Sequence, residues 1–346
     1  MNLLSLQDNF LGEPGEVYYF QHIIWAYTFT GVLMAATKLD IFTILSKRPA
    51  TAYEVAIQIN ADPASVKKLL IACNALSLVE RQGNNYQNSA FANRYLVRHR
   101  PGYLGNIIAH QHLWERWQEL DYFVRTGSRG PKERRIKTER GEEEALWAHR
   151  TWILAMHDIA ISGQAEALAS KLELSGRCTL CDVGGGPGTY AIELCRRYPQ
   201  MKAIVLDLPE TEPIAQEIIN SSGMSDRVFF KAADYLKDDY GLDFDVVLIS
   251  GVLHGETPED CQQILLKAFH SLKPGGLVVV QEVLLNEERT GPVLSAIFNL
   301  HMTNGAAYTG QEISAWMQEV GFKSVKVQPL TGYSWLNAII LGEKPI

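Results

Sequence analysis

Long apolar runs are missing from this 346-residue chain. Its richest stretch, Val17 to Ala36, is interrupted by Gln21, His22, Thr28, Thr30 and Gly31, so it falls short of the roughly 18 uninterrupted apolar residues of a membrane span. No membrane partner is expected. Cations are scarce too: 32 Lys plus Arg face 39 Asp plus Glu, a net charge of -7. Phosphate contacts need a cationic surplus, so nucleic acid is not the expected partner. Cysteine is limited to five residues, an odd number that argues against a disulfide framework. Cys178 and Cys181 form a lone Cys-x-x-Cys with no second pair to complete a zinc set, so buried thiols are expected and no metal. The first fifteen residues carry Asp8 and Glu13, with Glu16 just beyond, and show neither a basic start nor a small-residue cleavage site. A secretory leader is therefore not expected, and a reducing cytoplasm is the expected location. What is present is ordinary: 47% apolar and 21% charged residues suit a globular chain, and its length suits two domains.

Two regions differ in rhythm. Up to about residue 170, apolar positions recur at helical spacing in Tyr18 to Ala36, Ser65 to Leu78, Tyr103 to Val124 and Glu143 to Leu172. From about Arg177, short apolar runs end in Gly or Asp and alternate with amphipathic stretches, the pattern of a βαβ sheet. The joint reads as long helix, preceded by an exposed, charge-rich loop from Ser128 to Glu144. Within the helical half, Thr51 to Ile59, Asp62 to Leu78 and Val79 to Asn88 read as helix, helix and a small hairpin turning at Gly83-Asn84-Asn85. Asp62 is a helix cap, with Pro63 as the first helical residue. This is a winged-helix outline, with DNA binding as one reading and a packing or dimer module as the other. The second helix offers only Lys67 and Lys68 among Leu69, Leu70, Ile71 and Leu76, a surface that suits protein better than phosphate.

The second half carries the chemistry. Thr179 to Val183 reads as a strand with Asp182 near its end, followed by Gly184-Gly185-Gly186-Pro187-Gly188 and a helix from Thr189 to Tyr198. Glycines at a strand-to-helix turn let a ligand approach the backbone, with amides left to face it. The spacing is G-x-G-x-G rather than the G-x-G-x-x-G of nicotinamide sites, and no Gly-Lys-Ser/Thr marks a phosphate loop. Each later strand also ends in a polar group. Lys202 to Leu206 runs into Asp207, placed to accept ribose hydroxyls. Arg227 to Ala233 runs into Asp234, placed for an adenine amino group; Phe244 to Ser250 leads to His254, closed by a helix that Thr257 caps and Pro258 begins. Leu277 to Gln281, entered through a Lys273-Pro274-Gly275-Gly276 turn, ends at Glu282. Parallel strands put their carboxyl ends on one edge, so Asp182, Asp207, Asp234, His254 and Glu282 are expected around one cleft. Any one of these acids is explained as well by helix capping; five in a row are not.

This arrangement resembles the class I S-adenosylmethionine-dependent methyltransferases. With its helical front half, nearly the whole chain is similar to the small-molecule O-methyltransferases that include plant caffeate and flavonoid enzymes, acetylserotonin methyltransferase and bacterial polyketide-tailoring enzymes. The resemblance implies an α/β fold: a Rossmann-like sheet at 173–346, a winged-helix dimerisation domain, all-helical, at 1–100, and a helical linker and substrate cap at 101–172. It implies S-adenosylmethionine as cofactor, held through Asp182, Gly184, Gly186 and Gly188, through Asp207 and Leu208 of the Asp-Leu-Pro motif, through Asp234-Tyr235 and through Ser250. The general base falls on His254 and the glutamate that steadies it on Glu282. A histidine can take a phenolic proton at neutral pH within hydrogen-bond reach, and a carboxylate on its other nitrogen fixes the tautomer. Trp152, Met156, Phe298, Asn299 and Met302 match acceptor-contacting positions, and such a lining suits a small aromatic or polycyclic acceptor. Trp114, Trp117, Tyr122 and Phe123 crowd one helix and read as core or dimer interface in preference to a pocket wall. The remaining eight histidines, including His22, His149, His157 and His301, have no such placement, and most read as structural. A homodimer is the expected assembly.

Two departures bear on mechanism. The family's His-Asp pair reads His254-Gly255 here, with Glu256 adjacent, and the second histidine-flanking glutamate falls on Ala307. One acid fewer makes a weaker base, so a relative that binds the cofactor but carries out hydroxylation, decarboxylation or pericyclic chemistry is the first alternative. A winged-helix transcription regulator is the second.

Overall fold

The computed structural model describes residues 15–109, 117–128, 141–300, 302–330 and 335–346. Trp114, His301 and most of the charge-rich loop, 129–140, lie outside the described residues. Two compact units divide the chain, Met1–Ala109 and His110–Ile346.

The first unit is built as the local signals dictate. A helix, Gly15–Lys38, and a short one, Ile41–Leu45, lead into β1, Ala50–Thr51. Thr51 then caps the helix Ala52–Gln58 in a capping box with Glu54, each side chain meeting the other's backbone amide. Asp62 accepts from the Ser65 amide, and Pro63 starts the helix Pro63–Ala75. The wing is β2, Val79–Gln82, and β3, Asn85–Asn88, with Gly83 at φ +61° in the turn. β1 adds to the far side of β3, so the unit is not all-helical as the resemblance implies but holds a three-stranded antiparallel sheet beside its helices. Ile41, Phe42, Val55, Val66, Leu70, Cys73 and Tyr86 form its core. Phe20, Ile23, Trp25 and Tyr27 on the first helix are more than half exposed.

The second unit is a seven-stranded sheet in the order β6-β5-β4-β7-β8-β10-β9. The strands are β4, Thr179–Val183; β5, Lys202–Asp207; β6, Val228–Ala232; β7, Phe244–Ser250; β8, Leu272–Glu282; β9, Lys323–Pro329; and β10, Ala338–Glu343. β4 to β8 run parallel, and β10 lies antiparallel between β8 and β9. Alternation sorts the side chains: Leu180, Val205, Val246, Leu248 and Val279 enter one core layer, and Cys181, Val183, Val247, Ile249, Val278 and Val280 enter the other. The five carboxyl ends therefore share one edge, as the sequence pattern predicts.

Two expectations need correction. The Lys273–Gly276 segment is not a turn ahead of the strand but a bulge inside it: Leu272 pairs with Phe244 and Leu277 with Val246. The long joint helix is interrupted. Glu142–Ile159 passes into a π turn, Ala160–Gln164, where Gly163 at φ 122° breaks the helical path before Ala165–Lys171. Among the described residues no helix is long and apolar enough to cross a membrane, and no group of His, Cys, Asp or Glu gathers as a metal site. All five cysteines are free; four are buried, and Cys178, just ahead of β4, is exposed.

Leu180 is fully buried at the centre of the sheet. Leu180→Ala is expected to cost about 2–5 kcal/mol, read as a lowered denaturation midpoint with little change in slope.

Candidate active site

Glu282, at the end of β8, is 1% exposed. Its Oε1 accepts from the Leu253 amide at 2.7 Å and its Oε2 from the Val283 amide at 3.0 Å. Oε2 also meets Nδ1 of His254 at 2.8 Å. With Nδ1–H donating to a buried carboxylate, the ring's Nε2 is the acceptor. His254 sits on a single helical turn, Leu253–Gly255, between β7 and the helix Pro258–Ser271, which Thr257 caps as expected. Its segment is pressed from outside by Gly305, whose absent Cβ would lie 2.6 Å from the Glu256 carbonyl oxygen and 2.7 Å from its nitrogen. The Tyr308 hydroxyl donates to that same carbonyl at 2.6 Å.

The glycine turn lies next along the edge. Gly184, at φ +62°, has its face against Val252 and Tyr235; a Cβ there would sit 2.8 Å from a Val252 methyl. Gly186 differs, because a Cβ would meet nothing nearer than 4.0 Å, from Asp207 and Ile153, leaving its face open. The expected free amides are not found. Those of Gly184 and Gly185 donate to Leu206 O, Gly188's donates to Gly185 O, and Gly186's donates to Asp207 Oδ2 at 2.8 Å. What the turn presents is a bare backbone surface. Gly188 then caps the helix Thr189–Arg197.

The other predicted residues divide into rim and support. Asp207 Oδ1 accepts from the Leu208 amide and from Thr211 Oγ1, so with Gly186 three of its roughly four acceptor positions are filled. Leu208 is 42% exposed beside it. Asp234 spends its carboxylate on its own turn, accepting from the Leu236 amide and Lys237 Nζ. The Lys237 ammonium holds its pKa below the usual carboxylate value. That turn fixes Tyr235, whose phenol donates to Glu256 Oε1 at 2.7 Å. Ser250 donates to Gln281 across the β7–β8 rung.

Asp182 is the unusual member. It is fully buried beneath Gly185, and neither oxygen finds a hydrogen-bond partner. Burial pushes its pKa up to about 7, opposed by the nearby Ala191 amide, which lies outside hydrogen-bond geometry, and aided by the Asp207 charge.

On the acceptor side, Phe298 stacks on Trp335 at 5.1 Å and 16°, and Trp335 meets the His254 ring at 5.1 Å and 78°. Asn299 Oδ1 takes the Ala307 amide at 2.8 Å, and Met302 follows half-buried. Ala307, at the second acid's position, is fully buried with Val283, Leu285 and Leu336. Trp152 and Met156 stand on a different element, the helix Glu142–Ile159. That helix meets two connections of the sheet edge through its histidines: His149 Nε2 pairs with Thr211 Oγ1, after β5, at 3.1 Å, and His157 Nδ1 with Thr189 Oγ1, just past the glycine turn, at 2.8 Å. Burial, seconded by Arg196, lowers the pKa of His157. The spacing 149, 153, 157, with Ile153 against Gly186, was the available sign: one face at successive turns.

A family model described as an O-methyltransferase domain matches residues 145–323, and a second, an O-methyltransferase dimerisation domain, matches residues 21–98. The chain belongs to the O-methyltransferase family. This O-methyltransferase is 31% identical to 3-hydroxy-5-methyl-1-naphthoate 3-O-methyltransferase of Streptomyces sahachiroi over 91% of this chain and 92% of that one. It is 29% identical to the tetracenomycin polyketide synthesis 8-O-methyl transferase TcmO of Streptomyces glaucescens, over 96% and 97%. The human N-acetylserotonin methyltransferase crystal structure in complex with SAM shares its fold, with a TM-score of 0.84, 24% identity, and 97% of this chain and 100% of that one covered. Methyltransferases of this family use S-adenosylmethionine. The residues present fit that cofactor: the open face of Gly186 borders the Asp207 carboxylate, which keeps an acceptor position.

Asp182 yields a prediction for the cofactor-free O-methyltransferase. Its raised pKa leaves its contribution to stability complete below about pH 4 and lost by about pH 7. The stability of Asp182→Asn relative to the parent, measured by denaturation, should therefore climb between pH 4 and 7 and level off above.

Proposed function

We propose that this O-methyltransferase transfers a methyl group from S-adenosylmethionine to a hydroxyl of a small aromatic or polycyclic acceptor, with His254 as general base and Glu282 orienting it. The observation that carries the reading is the 2.8 Å contact between His254 Nδ1 and the buried Glu282 carboxylate, one strand along from the glycine turn.

S-adenosylmethionine supplies an electrophilic sulfonium methyl when bound. The chain's own residues do the rest. Glu282 accepts from Nδ1 and so leaves the Nε2 lone pair to take the acceptor's hydroxyl proton; the imidazolium that forms is paired with a carboxylate already in place. Asp207 accepts a ribose hydroxyl, while the open face of Gly186, in a turn that Gly184 and Gly188 shape, gives the methionine portion close approach. Tyr235 and Leu208 lie against the adenine. Phe298, Asn299 and Met302 bound the acceptor from the segment after β8, and Trp152 and Met156 bound it from the helical cap at 101–172. The apolar aromatic lining supports a flat acceptor, and the Streptomyces relatives act, by name, on naphthoate and tetracenomycin substrates. A homodimer through the exposed apolar face of Gly15–Lys38, within the matched dimerisation domain, completes the reading.

Incubation with candidate phenols and S-adenosylmethionine tests it. A product heavier by one methylene, together with S-adenosylhomocysteine, supports methyl transfer; an altered product without S-adenosylhomocysteine supports the non-methylating alternative. His254→Ala should lower turnover by about a hundredfold or more while S-adenosylhomocysteine affinity stays within threefold; full turnover would remove the assignment of the base. Asp207→Ala should weaken S-adenosylhomocysteine binding by about ten- to a hundredfold in calorimetry, the scale of a lost hydrogen bond to a charged group.

A further inference from the structure

Glu256 is the acid nearest His254 in sequence, and the obvious role for it is to replace the carboxylate lost at Ala307. The geometry gives it another. Its Oε1 accepts from the Tyr235 phenol at 2.7 Å, and its backbone carbonyl accepts from the Tyr308 phenol at 2.6 Å. Burial and the Glu256 carboxylate both raise the Tyr235 pKa, so the phenol keeps its proton and remains the donor.

Tyr235 stands where two parts of the site meet. Its ring packs on the face of Gly184, where a Cβ would lie 3.6 Å from two ring carbons. Its backbone is pinned by Lys267 Nζ, which donates to the carbonyls of Tyr235, Leu236 and Asp238, and by the Asp234 turn. Its hydroxyl reaches the segment carrying the base. That segment is a single helical turn, Leu253–Gly255, held by the Gly255 amide on Val252 O and the Glu256 amide on Leu253 O, each at 3.1 Å. So short a turn has little internal stability and depends on side chains that fasten it.

We propose that Glu256 is a positioning residue: by accepting from Tyr235 it ties the tyrosine packed on the glycine turn to the segment carrying His254, so that cofactor occupancy tightens the placement of the base. This rests on the reading that Gly184 and Tyr235 face the cofactor. It assigns Glu256 a hydrogen bond, not a charge, so glutamine serves in its place.

Hydrogen exchange of the full-length protein, with and without S-adenosylhomocysteine, tests this without an acceptor. In the parent protein the ligand should slow exchange both over the glycine turn, 183–189, and over the base segment, 252–257. In Glu256→Ala and Tyr235→Phe, protection of the glycine turn should persist while the added protection of 252–257 is lost; Glu256→Gln should restore it. Ligand protection of 252–257 equal to the parent's in both Glu256→Ala and Tyr235→Phe overturns the proposal, as does failure of Glu256→Gln to rescue. Tyr235→Phe, which removes a single oxygen, decides the matter if Glu256→Ala does not fold. Absence of protection over 183–189 in the parent protein would instead overturn the underlying cofactor reading.

Discussion

A carboxylate shut away from water must find all its donors within the protein, and Glu282 meets that requirement with the amides of Leu253 and Val283 and the imidazole of His254. Those donors belong to two connections at the same sheet edge, one after β7 and one after β8. The buried charge therefore draws two loops together, and the orientation of the imidazole follows from that union. Phe298 and Trp335 are placed by the same geometry, since Trp335 stands against the histidine ring and Phe298 against Trp335.

The glycine side is organised by Asp207 in a similar way. Its carboxylate gathers the Gly186 amide from one connection, and the Leu208 amide and Thr211 hydroxyl from the next. His149 extends this network to the helix Glu142–Ile159, and His157 fastens the same helix to Thr189. The helix bearing Trp152 and Met156 is thus registered against the connections after β4 and β5 by two side-chain pairs on one helical face. Asp182 has no such company. It lies below the turn with both oxygens unpaired, where burial favours its neutral form.

Much of this was legible beforehand because the signals are local. Asp62, Thr257 and Pro258 announce helix starts through their own backbone chemistry, and the alternation of apolar runs with glycine or acid endings announces parallel strands and their common edge. What escaped depends on tertiary pairing. The bulge at Lys273–Gly276 has the composition of a turn, and only the partner strand shows that Leu272 and Leu277 belong to one ladder. Gly163 ends a helical path whose periodicity continues on both sides. The turn's amides seemed available because nothing local reveals that Leu206 and Asp207 claim them. Histidines 149 and 157 gave no sign of their threonine partners, which lie 62 and 32 residues away along the chain. Trp335 gave none of its place against His254.

Gly305 carries a consequence that belongs to the rear of the histidine. Its bare α-carbon fills the space behind the helical turn on which the base is mounted. Even a lone methyl there would overlap the peptide of Glu256, so the backbone on which the imidazole is mounted would have to shift. A position behind the backbone that carries the base, not beside its ring, is thereby closed to a residue with a side chain unless that backbone gives way.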